Sequence, residues 1–107
     1  MVINFTGCKM AILNFKTKGT EDINYGRITK DALRTLPKVL HKKAQIKLAR
    51  LGAVTSLQDL QELRGNRFEK LKGKRIDQYS LRINDQYRIC FQWESENAVE
   101  VEIIDYH

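Results

Sequence analysis

Between Gln78 and Asp105 the chain alternates apolar and polar residues three times over, and this period of two constrains the fold more than any other stretch. The three runs, Gln78 to Ile83, Tyr87 to Trp93 and Ala98 to Asp105, are separated by turn residues at Asn84-Asp85 and at Glu94 to Asn97. That arrangement predicts a meander of antiparallel strands. Strand side chains alternate strictly between faces, so Tyr79, Leu81 and Ile83 share a face with Tyr87, Ile89, Phe91 and Trp93, and with Val99, Val101 and Ile103. A helix is expected to cover that face. The opposite face would collect Ser80, Arg82, Arg88, Cys90, Gln92, Glu100, Glu102, Ile104 and Tyr106. Of these, Gln92, Glu100 and Glu102 read as ordinary solvent-facing residues.

Keeping Ile83 and Tyr87 on one side requires an even sum for paired residue numbers, which sets Arg82 opposite Arg88 across a loop of Asn84, Asp85 and Gln86. Opposed like charges are unfavourable by roughly a few tenths of a kcal/mol or more. The pair therefore calls for an anion, and one phosphate would satisfy both arginines.

Upstream, Ile12, Leu13, Asn14 and Phe15 read as a short strand. Thr20, Glu21 and Asp22, between Gly19 and Gly26, suggest a single helical turn followed by a loop. From Lys30 the pattern is helical with a break near Pro37, and Leu36, Leu40, Ala44, Leu48 and Leu51 then form one apolar stripe that Gly52 terminates. The other side carries Lys38, Lys42, Lys43, Lys47 and Arg50, with no acid between Ala32 and Gln58. It reads either as the solvated face of a helix covering a sheet or as a surface that follows phosphates, with Lys43 and Lys47 as its contacts. A further strand is expected over Asn66 to Leu71, closed by Gly73.

A length of 107 residues with 42% hydrophobic content suits one small domain, placed at residues 10 to 107. Residues 1 to 9, ahead of the second methionine Met10, read as an N-terminal extension or an alternative start. Nineteen Lys and Arg against thirteen Asp and Glu leave a formal charge of +6, which favours polyanions such as RNA, DNA or an acidic protein. Cys8 and Cys90 have no CxxC spacing and no signal peptide precedes them, so reduced thiols in the cytoplasm are expected. No apolar run approaches the roughly 20 residues of a membrane span, so no membrane contact is expected. The sequence contains no HExxH, Gly-rich phosphate loop, zinc-knuckle spacing or Ser/His/Asp arrangement. No metal or cofactor is expected.

The chain closes on Asp105, Tyr106 and His107. Together with the cationic strands, these residues suit metal-free RNA cleavage, in which a ribose 2′-hydroxyl attacks the adjacent phosphorus. Such a reaction needs a base, cations for the charged transition state and an acid for the leaving oxygen; a positioned acid or base contributes about 10²- to 10⁴-fold. His107 carries the side chain suited to proton transfer near neutral pH. Glu69, an anion flanked by Arg67, Lys70 and Lys72, would stay ionised and is the alternative base. Lys72, Arg82 and Arg88 can stabilise developing negative charge. Tyr106 can stack on a nucleobase or donate to phosphate, Arg67 can contact RNA, and Asp105 either orients His107 or ends a strand. His41, among the lysines, reads as a surface residue.

The ordered set Gly65-Asn66-Arg67-Phe68-Glu69-Lys70-Leu71-Lys72-Gly73, Gln78 to Phe91, and Val101-Glu102-Ile103-Ile104-Asp105-Tyr106-His107 resembles the HigB toxins, a branch of the RelE/ParE superfamily of type II toxin-antitoxin systems. The likeness extends upstream through Lys18 to Ile23 and Leu36-Pro37, covering roughly Met10 to His107. It implies an α+β, RelE-like fold, with N-terminal helices packed on one face of a mainly antiparallel twisted sheet. It also implies an endoribonuclease that cuts mRNA on the translating ribosome, neutralised by a HigA-like helix-turn-helix antitoxin. Operator DNA would be engaged only through the antitoxin complex. Carried over by position, the site would be Glu69, Lys72, Arg88, Tyr106 and His107, supported by Arg82 and Asp105. Many relatives have His where this chain has Glu69, and Tyr87 replaces a common Trp. The alternatives are a ParE-like topoisomerase inhibitor that cuts no RNA and a weakened toxin that serves mainly as its antitoxin's partner.

Overall fold

A computed structural model describes residues 12–54, 56, 58, 69–70 and 78–105. The expectations for residues 1–9, for most of the Asn66 to Leu71 strand, and for Arg67, Lys72, Tyr106 and His107 fall outside those residues. The described chain runs α1 (Lys18–Asn24), α2 (Lys30–Thr35), a 3₁₀ turn (Lys38–Leu40), α3 (His41–Ala53), β1 (Glu69–Lys70), β2 (Gln78–Arg82), β3 (Tyr87–Glu94) and β4 (Asn97–Asp105). The strands form one antiparallel sheet in the order β1-β2-β3-β4. This is the α+β, RelE-like arrangement that the strand pattern and the resemblance pointed to.

Two helices are shaped by threonines. Thr17 caps α1 by accepting from the Thr20 amide at 3.3 Å, and Thr29 caps α2 by accepting from the Ala32 amide at 3.0 Å. With that cap α1 runs for 7 residues, not the single turn expected, and it ends at Gly26, whose φ of 75° is accessible because it lacks a Cβ. Gly19 has a different task. A Cβ there would lie 1.9 Å from Thr35 Oγ1 and 2.5 Å from the Asp31 carbonyl, so its absence lets α1 and α2 approach closely.

Pro37 separates α2 from α3, as its missing amide dictates. The turn leaves the Leu36 carbonyl without a helical donor, and His41 Nε2–H donates to it at 2.8 Å. His41 is therefore buried, not a surface residue, and its ring closes the gap that Pro37 opens. The expected stripe holds: Leu36, Ala44, Leu48 and Leu51 are fully buried and Leu40 packs beside them.

The sheet presents Leu81, Ile83, Ile89, Phe91, Ala98, Val101 and Ile103 to these helices, forming one core with Ile23 and Ala32. Tyr79 pairs directly with Phe91 and their rings stack at 6.0 Å. Parity fails at one point. β4 is bulged, with Glu100 at φ 53° and the register slipping between Cys90 and Gln92. Beyond the bulge Ala98 pairs with Trp93 on the core face, while Val99 pairs with Gln92 on the other, opposite to the face expected for Val99.

The segment Ile12 to Phe15 lies parallel to β4, bridging Ile12 to Ala98 and Phe15 to Val101. The bulge fits this neighbour: the Glu100 amide donates to Asn14 Oδ1 at 2.5 Å. Farther along, Thr20 Oγ1 accepts from the Ile103 amide at 2.9 Å, so a helix hydroxyl satisfies the β4 edge where the parallel segment ends. α1 is thereby fixed to the strand that leads to the C-terminus. Among the described residues no helix is long and apolar enough to cross a membrane.

Candidate functional site

β2 and β3 pair with Ser80 opposite Cys90 and Arg82 opposite Arg88, as the even-sum rule required. On the far side of β3, Cys90 pairs with Glu102 and Arg88 with Ile104. Ser80, Arg82, Arg88, Cys90, Glu102 and Ile104 thus form a patch on the face turned away from the helices. Ser80 and Cys90 are fully buried, and Arg88 and Glu102 are each 7% exposed. This face is not solvent-swept. Glu102 departs from its expected role as an ordinary exposed residue, and Lys16 Nζ lies 3.8 Å from its Oε1.

Burying a guanidinium demands hydrogen bonds that hold it in place. Arg88 Nε donates to Ser80 Oγ at 2.7 Å, across the diagonal of the β2–β3 pair. That bond ties the inner part of the guanidinium to a fully buried hydroxyl on the central strands. Its position is set by the sheet and not by solvent.

Arg82, across from Arg88, turns toward the hairpin loop and pairs with Asp85. The two arginines therefore do not share one protein carboxylate. The hairpin itself is built by Asn84, whose Oδ1 accepts from the amides of Gln86 at 2.9 Å and Tyr87 at 2.8 Å. Ile83 N–H completes the turn on the Tyr87 carbonyl at 2.9 Å.

Glu69, in β1, is registered opposite Ser80. The backbone thus sets Glu69 and Ser80 side by side on neighbouring strands, with Arg88 bonded to the latter. Asp105 is placed otherwise. It pairs with Tyr87, two residues beyond Ile103 on the helix-facing side of the sheet, and accepts from Gln86 Nε2 at 3.0 Å. The structure separates it by a sheet's thickness from the face that carries Arg88.

On α3, Lys43 is exposed but Lys47 is only 7% exposed, against the reading of both as a solvated basic face. Burial pulls the Lys47 ammonium pKa below its ordinary value, and the charges of Arg50, Lys43 and Arg82 push it in the same direction. Arg82, at the hairpin, is thus near enough to α3 for its positive charge to bear on Lys47.

Sequence reasoning missed two residues that shape this site. Ser80 counted only as one of the far-face residues, since nothing in its sequence neighbourhood reveals a diagonal partner. Asp85 counted only as a turn residue, although an acid three positions after an arginine in a tight hairpin is a recognisable pairing signal.

Residues 14–107 match the family model for the RelE-like toxin of the type II toxin-antitoxin system HigB. The chain is also 40% identical over 60 residues to Toxin HigB-1 of Vibrio cholerae serotype O1, a stretch that is 56% of this chain and 63% of that protein.

Proposed function

The chain belongs to the HigB-like family of RelE-like type II toxins, whose members are paired with an antitoxin; from that premise we propose that it is an endoribonuclease that cuts mRNA on the translating ribosome. The observation that carries the reading is the buried Arg88, held by Ser80 on the sheet face away from the helices and directly opposed by Arg82. A fixed guanidinium is suited to a transition state that gains negative charge, because it need not reorganise as that charge develops.

In the proposed reaction the 2′-hydroxyl loses its proton to His107 or Glu69 and attacks phosphorus to close a 2′,3′-cyclic phosphate, while the bond to the 5′-oxygen breaks and that oxygen takes a proton from water. Arg88 and Lys72 take up the charge on the nonbridging oxygens. Tyr106 holds the nucleobase or the phosphate, and Arg82, with Arg67, contacts the flanking backbone. Lys43, exposed on α3, would contact ribosomal RNA, with the charge of the buried Lys47 behind it. Asp105 accepts from Gln86 and pairs with Tyr87 at the end of β4, and its supporting role is to orient His107 or to close that strand. The reaction proceeds without a metal or cofactor. A HigA-like helix-turn-helix protein is the proposed antitoxin, operator DNA is engaged only through that complex, and the site of action is the cytoplasm, where translating ribosomes are.

The test is induction of the wild type, Arg88→Ala and His107→Ala in growing cells. Loss of growth arrest in both variants, with circular dichroism spectra unchanged, is the expected result. Full toxicity of both would place the active site elsewhere.

A further inference from the structure

Asp85 holds Arg82 while doing nothing for the turn it sits in. Its side chain is 96% exposed, and the turn amides are satisfied by Asn84 Oδ1. Its carboxylate contacts a guanidinium that has other cations about it: Arg88 lies directly opposite in the strand pair, and Lys47 is near enough to feel the charge of Arg82. A carboxylate and a phosphate oxygen compete for the same guanidinium donors, and Asp85 holds Nη2. Both cannot occupy it at once.

We propose that Asp85 is a built-in competitor for the Arg82 guanidinium, a tethered carboxylate that an incoming phosphodiester must displace, and so a residue that sets the affinity of this face for anions. The proposal rests on the nuclease reading only for the identity of the natural anion; the competition itself follows from the Arg82–Asp85 pair. The tether gives the carboxylate a high local concentration, so an anion that takes its place on Arg82 binds more weakly than it would to an unoccupied guanidinium. Arg82 is 32% exposed at its side chain, which leaves the exchange open to solvent. When the carboxylate is displaced it returns to water at little cost, since it was nearly fully hydrated beforehand.

The experiment titrates inorganic pyrophosphate against the intact protein, following the Arg82 Nε–Hε resonance, for wild type, Asp85→Asn, Arg82→Gln/Asp85→Asn and Glu96→Gln. Glu96 is an exposed acid in the β3–β4 turn, so its variant makes the same change in net charge at the other end of β3. Asp85→Asn should tighten pyrophosphate by roughly two- to fivefold, the range that an exposed ion pair commands. The gain should shrink at high salt and vanish when Arg82 is also replaced, as read by the Arg88 resonance. Unchanged affinity in Asp85→Asn overturns the proposal, as does an equal gain from Glu96→Gln. A parallel cleavage assay on ribosome-bound mRNA separates the two claims. A pyrophosphate gain without cleavage by any variant leaves the competitor standing and removes the nuclease reading. Cleavage by wild type with no pyrophosphate gain does the reverse.

Discussion

Arg88 Nε donates to Ser80 Oγ at 2.7 Å, which binds the side chain central to the proposed chemistry to a buried serine on the neighbouring strand. Ser80→Ala removes that acceptor and leaves the guanidinium in place but less well aimed. mRNA cleavage should fall roughly tenfold with substrate affinity little changed, because loss of positioning acts mainly on the transition state. Unfolding should cost about 1 kcal/mol less. Ser80→Thr, which keeps the acceptor, should recover most of the rate; a wild-type rate in Ser80→Ala would mean that Arg88 needs no such support.

Asp22 joins α1 to the loop before α2. Thr29 Oγ1 donates to it at 2.7 Å, Lys18 Nζ at 3.0 Å and Arg27 Nη1 at 3.2 Å. The Thr29 hydrogen bond, followed by that of Lys18 and with a contribution from Arg27, holds its pKa below the ordinary carboxylate value, although burial opposes the shift. A depressed folded pKa means that the unfolded chain binds more protons in the interval between the two values. The stabilisation is fully present above about pH 4 and is lost as pH falls through the folded value. Denaturant melts of wild type and Asp22→Asn should differ most at neutral pH and converge in acid. A difference that does not depend on pH would show that the carboxylate's charge contributes nothing.

Gly19→Ala should destabilise the fold by about 1–3 kcal/mol, since the added methyl meets the Asp31 backbone as well as the movable Thr35 hydroxyl. Thr35→Ala should relieve only part of that cost. Chemical denaturation of the two single variants and the double variant measures it directly, and a neutral Gly19→Ala would show that α1 and α2 can separate freely.

Lys47→Met removes an ammonium that burial and the charges of Arg50, Lys43 and Arg82 disfavour, and with it one positive charge of α3. Ribosome-dependent cleavage should decline in the same variant. Cleavage at the wild-type rate would show that the Lys47 charge plays no part in engaging the ribosome.

What the sequence made legible follows from strict geometry. Arg82 opposite Arg88, the buried Leu36-Ala44-Leu48-Leu51 stripe and the hairpin turns at Asn84 and Ser95 all rest on fixed periods and turn chemistry. The bulge at Glu100 was not legible: a single extra residue changes parity without leaving a mark in composition, so Val99 changes places with Ala98. His41 and Lys47 looked exposed because their neighbours in sequence are charged, whereas tertiary packing buries both. Alternation puts Asp105 on the helix-facing side, where it accepts from Gln86, a contact that its position beside Tyr106 and His107 in the sequence does not convey.

The proposed chemistry is tested most directly by mapping transcript 5′ ends after induction of wild type and Arg88→Ala, with translation running and with initiation blocked. New 5′-hydroxyl ends inside translated reading frames are expected in the wild type only while ribosomes elongate, and are expected to be absent from Arg88→Ala. Growth arrest with intact transcripts, or undiminished cleavage by Arg88→Ala, would contradict it.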